Sequence, residues 1–325
     1  MNIEKIKLLE KGELHVHLNG LVSSNIIKNI INEEKCSIPF DFNINDDLTI
    51  VKPAKTLAEY LKPWQVLRLI PNNRHNLKII VNNAFENLKS QNIKFAEIRN
   101  SILYISRLNN ISTHKALDWL ISDILECSIK YNIKAGLILT ISRGEFALEH
   151  LSLLLDAYEK LNKPPIIVGL DLAGNEEVPY TKDLAASFKT AKQKYSLNIT
   201  IHAGETGNFE NINSAILHFD ADRIGHGTAA PKSELTMTLL KERNICVEVC
   251  PISNRLTNAV PEHESHPVIE LIKHEIPFVI CSDNPSIHQS TLNDDYHQFI
   301  LETNSIKHID NMFNTQREFS FIKGL

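Results

Sequence analysis

Glu13-Leu14-His15-Val16-His17 decides the fold. Two imidazoles stand two residues apart in a short apolar run. Side chains at i and i+2 of a strand share a face, so both rings leave the chain on one side, at the strand's end. Later apolar runs end in the same way, in His202-Ala203-Gly204-Glu205, Gly225-His226-Gly227 and Ser282-Asp283-Asn284-Pro285. Working outward from these ends, candidate strands cover residues 13–17, 94–99, 135–141, 166–172, 198–202, 222–226, 245–250 and 277–282. Several are continuous Val/Ile/Leu runs, the pattern of parallel strands covered on both faces. Helical spacing fills the segments between them, over residues 116–131, 145–161 and 183–195; in the first of these, Leu117, Leu120, Ile121, Ile124 and Ile129 fall along one side. A succession of β/α units with right-handed crossovers predicts an α/β fold, a (β/α)8 TIM barrel, with residues 1–325 as a single domain.

Residues 18–93 separate the first strand from the second, more chain than one crossover helix needs. Thr56-Leu57-Ala58-Glu59 has the pattern of a capping box, and Leu57, Tyr60, Leu61, Trp64 and Leu67 follow at helical spacing. An insertion after a barrel strand lies on the face where barrel active sites form, so a helical lid is expected. The alternative is an outer packing helix with Trp64 as ordinary core.

Composition narrows the function classes. The chain is 43% hydrophobic and 22% charged, which is ordinary for a globular protein. A net charge of −5 and the lack of a basic patch argue against a nucleic-acid polymer as partner. No apolar run approaches the roughly 20 residues of a membrane span. The first dozen residues lack the apolar core of a signal peptide. Cys36, Cys127, Cys246, Cys250 and Cys281 are scattered and form no CxxC pair. They indicate neither a disulfide framework nor a cysteine zinc site, and reduced thiols fit a cytoplasmic protein.

His15, His17, His202 and Asp283 offer three imidazoles and a carboxylate, a donor set that suits one zinc ion, with iron or manganese as alternatives. The fourth strand holds no lysine that could carry a bridging carbamate, which favours a single metal. A divalent ion lowers the pKa of its water from about 15.7 to about 7 and so supplies hydroxide at neutral pH. Glu205 could protonate a ring nitrogen or a leaving group, or cap the following helix. His226 is either a fourth ligand or a base that orients the water. Glu248, a charge inside an apolar strand, needs a partner. The neighbouring His226 ring is the expected one, with Glu248 orienting it from behind. Gly174, in Asp171-Leu172-Ala173-Gly174-Asn175-Glu176, could expose its backbone N–H to a heteroaromatic nitrogen.

Glu-Leu-His-Val-His-Leu-Asn-Gly, His-Ala-Gly-Glu, Arg-Ile-Gly-His-Gly, Cys-Pro-Ile-Ser-Asn and Ser-Asp-Asn-Pro, in this order, resemble the adenosine deaminase family of amidohydrolase-type metal barrels. The resemblance implies a zinc held by His15, His17, His202 and Asp283. Glu205 would then be the proton donor to the purine, His226 the base or anchor for the attacking hydroxide, and Gly174 a donor to a ring nitrogen. The reaction would be hydrolytic deamination of a 6-aminopurine, adenosine or deoxyadenosine, by a metal-activated hydroxide. The His-x-Glu and Pro-Cys-x-x-Cys signature of the other zinc deaminases is absent. Two positions depart from the family pattern. Asn284 replaces a carboxylate that meets the five-membered purine ring, and still offers an NH₂ donor. Asn19 replaces an aspartate that meets the ribose 5′-hydroxyl, which reduces repulsion of a 5′-phosphate. The partner is therefore a small purine nucleoside, nucleotide or base, with a methylated adenosine monophosphate or free adenine as alternative substrates. A non-catalytic binding protein on the same fold is the remote alternative, and the complete ligand set argues against it.

Overall fold

The computed structural model describes residues 1–325, apart from the side chains of Leu57 and Ala58. The strands are β1 (Lys11–His17), β2 (Ile93–Asn100), β3 (Lys134–Ser142), β4 (Ile167–Ala173), β5 (Asn198–Ala203), β6 (Arg223–His226), β7 (Cys246–Val249) and β8 (Phe278–Ile280). They follow one another in sheet order, and each pairs in parallel with the next. Helices alternate with the strands. The result is a nearly closed (β/α)8 barrel with almost fully buried strands, as the apolar runs require. In the helix Thr113–Tyr131, Leu117, Leu120, Ile121 and Ile124 are buried. Ile129 departs from the expected stripe: it is 83% exposed, one turn before a left-handed cap at Asn132.

Closure between β8 and β1 does not use a regular ladder. At the upper end, the Asp283 N–H donates to the His15 carbonyl at 2.8 Å and the His17 N–H donates to the Asp283 carbonyl at 3.0 Å. Below them the Glu13 carboxylate accepts from Ser282 N–H at 3.1 Å and Ser282 Oγ at 2.6 Å. Lower still, Gln316 reaches in from the C-terminal helix Ile306–Phe319. Its Oε1 accepts from Gly12 N–H at 2.8 Å on β1, and its Nε2 donates to the Ile280 carbonyl at 3.1 Å on β8. A side-chain amide thus occupies the place of ladder hydrogen bonds.

The segment between β1 and β2 forms short helices, Leu18–Leu21, Ser24–Glu33, Leu57–Tyr60 and Trp64–Leu67, and then the long helix Arg74–Ser90. Thr56 Oγ1 accepts from Glu59 N–H at 3.1 Å, but the Glu59 carboxylate reaches back to Lys55 N–H, at 2.7 Å, rather than to Thr56. Of the expected apolar face, Leu57 lies outside the described side chains. Tyr60, Leu61 and Trp64 line the cavity at the top of the barrel, while Leu67 is core. The insertion is a lid. Among the described residues, no helix is long and apolar enough to cross a membrane.

Gln316→Met keeps the bulk but leaves the Gly12 N–H and Ile280 carbonyl without partners. The expected loss is about 1–3 kcal/mol of stability, read as a lower denaturant midpoint. An unchanged midpoint would show that the seam does not need the amide.

Candidate metal and catalytic site

The strand ends deliver their side chains to one point at the top of the barrel. His15 and His17 leave β1, His202 leaves β5, His226 ends β6, and Asp283 follows β8. Ligand atoms of His15, His202, His226 and Asp283 lie within 4.8 Å of one another. His17 Nε2 is 3.4 Å from His202 Nε2 and 3.4 Å from Asp283 Oδ1, and His15 Nε2 is 3.6 Å from the same oxygen. The expected ligands are therefore in one cluster, and His226 stands beside them.

The back of each ring shows which nitrogen is free. Glu248 Oε2 accepts from His15 Nδ1 at 2.7 Å, and Asp171 Oδ1 accepts from His202 Nδ1 at 2.9 Å. Both rings then present an unprotonated Nε2 to the cluster. His15 Nε2 is buried with no hydrogen-bond partner among the described residues. Facing lone pairs of two Nε2 atoms beside a carboxylate are the arrangement a cation relieves, so these residues fit a divalent metal.

Burial alone would raise the Glu248 carboxyl, but the Arg99 and Arg223 guanidiniums outweigh it and hold that carboxyl well below the usual carboxylate range. Glu248 therefore does not orient His226 as the sequence suggested. The register pairs Glu248 with Gly225, one residue below His226. His226 lies beyond that level at φ +64°, turned toward Asn254. Asn254 Nδ2 lies 3.0 Å from His226 Nδ1; with the amide donating, the neutral ring carries its proton on Nε2, 3.8 Å from Glu205 Oε2.

Asp283 divides its oxygens. Oδ2 accepts from Ser253 Oγ at 2.7 Å and Tyr60 OH at 3.2 Å, while Oδ1 faces the histidines and accepts from Asn284 Nδ2 at 2.7 Å. Asn284 Oδ1 is left buried and without a partner among the described residues. Gly20 makes room for this side chain, because a Cβ there would collide with that oxygen. Glu205 is fixed through its backbone: Glu176 accepts the N–H groups of Gly204 at 2.6 Å and Glu205 at 2.7 Å. Burial pushes the Glu205 carboxyl above the ordinary range, which favours a protonated acid.

A cavity of about 230 Å³ covers the cluster and is lined by Asn19, Gly174, Glu205, His226 and Asn284 together with the lid. Gly174 sits there at φ +96°, a conformation that suits glycine. Asn19 Nδ2 donates to the Leu67 carbonyl at 3.1 Å, so this residue also ties β1's exit to the lid. Sequence reading missed Asp171, Glu176, Ser253 and Asn254 as parts of the site, and placed Tyr60 on the lid without its hydrogen bond to Asp283. Asp171 and Glu176 flank Gly174 in a motif that was noticed for the glycine, and Ser253 and Asn254 lie in Cys-Pro-Ile-Ser-Asn. Only contacts made in space give them their roles.

A parallel eightfold barrel with imidazoles and a carboxylate gathered at its strand ends defines the metal-dependent, amidohydrolase-type class of barrels. The chain belongs to the adenosine deaminase family, whose sequence profile matches residues 10–310. The adenosine deaminase of Clostridium kluyveri is 32% identical over 308 residues, covering 92% of this chain and 86% of that one. Among solved structures, a Burkholderia ambifaria amidohydrolase with bound Zn superposes with a TM-score of 0.87 at 19% identity, covering 99% of this chain and 88% of that one. The arabidopsis N6-mAMP deaminase gives 0.81 at 24% identity, covering 98% and 95%. At these identities the superpositions speak for the fold.

Asp171→Asn should leave the barrel folded but weaken divalent-metal binding about 10–100-fold, measured by chelator competition. Unchanged affinity would show that His202 needs no carboxylate behind it.

Proposed function

We propose that the protein catalyses hydrolytic deamination of a 6-aminopurine, with adenosine or deoxyadenosine giving inosine or deoxyinosine and ammonia. The observation that carries this reading is the pair Glu205 and His226, held 3.8 Å apart beside the donor cluster. His15, His17, His202 and Asp283 would hold one zinc ion, His226 keeping its proton on Nε2 and standing outside the ligand set. Such an ion supplies hydroxide by lowering the pKa of water from about 15.7 to about 7.

The chain's own groups account for the remaining steps. Glu205, whose carboxyl burial pushes up, donates to the ring nitrogen next to the reacting carbon and makes that carbon electrophilic. The Nε2–H of His226, aimed by Asn254, holds the incoming oxygen by a hydrogen bond. Asp283 positions the same oxygen. Gly174 offers its backbone N–H to a ring nitrogen, and Asn284 and Asn19 complete the purine and sugar contacts. Glu248 and Asp171 keep two imidazoles in the required tautomer. Tyr60 and Trp64 wall the cavity on the lid side. The oxygen bonds to C6, its proton passes by way of the Glu205 carboxylate to the amino nitrogen, the C6–N bond breaks, and ammonia leaves with the purine in its 6-oxo form.

A second reading, deamination of a methylated adenosine monophosphate, draws on the uncharged Asn19 and on Arg68, which lines the same cavity. The partner in either case is a small purine, and the free cysteines suit a cytoplasmic location.

Ammonia release from adenosine, deoxyadenosine, adenine, AMP and N6-methyl-AMP tests the reading; silence across the panel with metal bound would refute it. Glu205→Gln should retain metal and purine binding but lose about 10²–10⁴-fold in turnover. Near-normal turnover of this variant would remove Glu205 as proton donor.

A further inference from the structure

The lid reaches the donor cluster through the hydroxyl of Tyr60. This residue is buried, and its OH stands 3.2 Å from Asp283 Oδ2, the oxygen turned away from the histidines. The lid is fastened close by. Ile50 N–H donates to the Ile287 carbonyl and Ala54 N–H to the Leu256 carbonyl, both at 2.8 Å. Those carbonyls belong to the short helices that carry His288 and Ser253. Tyr60 packs with Ala54 and Leu256 in a small apolar cluster of their own, apart from the main core. Close packing restricts a side chain to few rotamers, so the hydroxyl is held in place.

Behind the hydroxyl stands His288, buried and outside the lining of the catalytic cavity. Its Nε2 is 2.9 Å from Tyr60 OH, and its Nδ1 is buried without a partner among the described residues. Burial pushes this ring down to about 4, so it carries one proton near pH 7. The Tyr60 proton has two acceptors in reach, and the charged carboxylate is the stronger. With that proton on Asp283, His288 Nε2–H donates to the Tyr60 oxygen and its Nδ1 is an idle acceptor. The opposite order would take a donor from the carboxylate and leave Nδ1–H as a buried donor unpaired, which is costly. The donors therefore run in series, from His288 to Tyr60 to Asp283, and donors in series strengthen one another.

We propose that Tyr60 is a positioning residue for the metal carboxylate: its hydroxyl, backed by His288, orients Asp283 so that Oδ1 faces the histidines. The proposal rests on the metal and deaminase reading above. Without the hydroxyl, Ser253 Oγ, at 2.7 Å, is the remaining donor to Oδ2. The carboxylate then turns more freely, and Oδ1 is less firmly directed at His15 and His17, from which it stands 3.6 and 3.4 Å. The hold on a metal and the placement of the attacking oxygen weaken together. The lid thus supplies part of the support of the ligand set as well as a wall of the cavity.

Tyr60→Phe keeps the ring and its apolar contacts and removes the hydroxyl. Competition between the protein and a chelator for zinc, with no substrate present, should show affinity about 10–100-fold weaker. On zinc-saturated protein with the purine selected by the ammonia panel, kcat and kcat/KM should fall together by about tenfold or more, with KM within about threefold of the wild type. His288→Phe should cause a smaller loss of the same kind. His288→Gln, whose amide N–H can stand in for Nε2–H, should restore most of it. In the Tyr60→Phe background, His288→Phe should change neither readout further. A merely structural role predicts a lower denaturant midpoint with zinc affinity and kcat unmoved, and that result would overturn the proposal. So would a raised KM at unchanged kcat, the mark of a substrate contact. Wild-type protein that binds zinc but turns over no purine would refute the deaminase reading, and the chelator measurement would still decide the role of Tyr60. Wild-type protein without zinc affinity would overturn both. Tyr60→Phe decides by itself where a His288 variant does not fold.

Discussion

The Glu248 carboxylate is the group on which the rest of the interior depends. It is fully buried, and such a charge is tolerated only where its lone pairs are occupied. Here it accepts from Arg99, from Arg223 Nε at 2.7 Å, from Thr200 Oγ1 at 2.9 Å and from His15 Nδ1 at 2.7 Å. Removing one member of such a group strands the others, at a cost of about 3–5 kcal/mol for a buried ion pair. The cluster is better understood as a device for specificity than for net stability. Arg99 also lies 3.4 Å from Asp171 Oδ1, so one guanidinium spans the carboxylates behind His15 and His202. Arg223 extends the network to Glu97 on β2 and donates to the Phe319 carbonyl at 2.8 Å, which ties the C-terminal segment to the barrel floor. The rings at the top cannot change tautomer without disturbing charges several residues below.

The cluster also sits on the barrel's weakest joint. Seven strand pairs carry ladders, but β8 meets β1 through one bridge, between Val16 and Asp283. That bridge joins the strand bearing His15 and His17 to the residue bearing the carboxylate. A metal held by these three side chains would cross-link the two edges of the sheet beside the one backbone bridge that joins them. Folding and metal binding then share free energy. Glu13 and Gln316 continue the joint downward with side-chain hydrogen bonds, so a conventional edge never forms.

The sequence revealed some parts of this arrangement and concealed others for physical reasons. Apolar runs located every strand, because buried parallel strands leave a compositional trace that does not depend on their neighbours. The His-x-His spacing gave a shared face by geometry alone. Partner choice was not legible in the same way. Glu248 looked adjacent to His226 because β7 follows β6, yet its carboxylate crosses the barrel to His15, whose position depends on register and tilt. Glu176 stood in the Gly174 motif without a role, and its carboxylate holds two backbone N–H groups of the Glu205 turn. Ile129 fitted the helical stripe, but the helix is near its end there and the side chain turns to solvent. Periodicity reports the average face of an element and fails at its last turn.

Strand length explains where the reactive groups stand. β1 to β5 run six to nine residues, whereas β6 and β7 have four each and β8 has three. On the short side the chain leaves the sheet early and turns left-handed, at His226 with φ +64° and Asp283 with φ +59°. Non-glycine residues in such conformations cost of the order of 1–3 kcal/mol each. The cost is offset locally. Gly227 N–H donates to the Ala203 carbonyl at 3.1 Å, and the seam hydrogen bonds hold Asp283 on both sides. Glycine would relieve the strain at either position but would remove the side chain that the turn directs inward. The left-handed turn points that side chain back over the barrel mouth, where an extended residue would carry it on past the rim. A donor from β6 and one from β8 can then face the rings of β1 and β5 across a single cluster. The backbone strain and the convergence of the site are therefore two results of the same short strands.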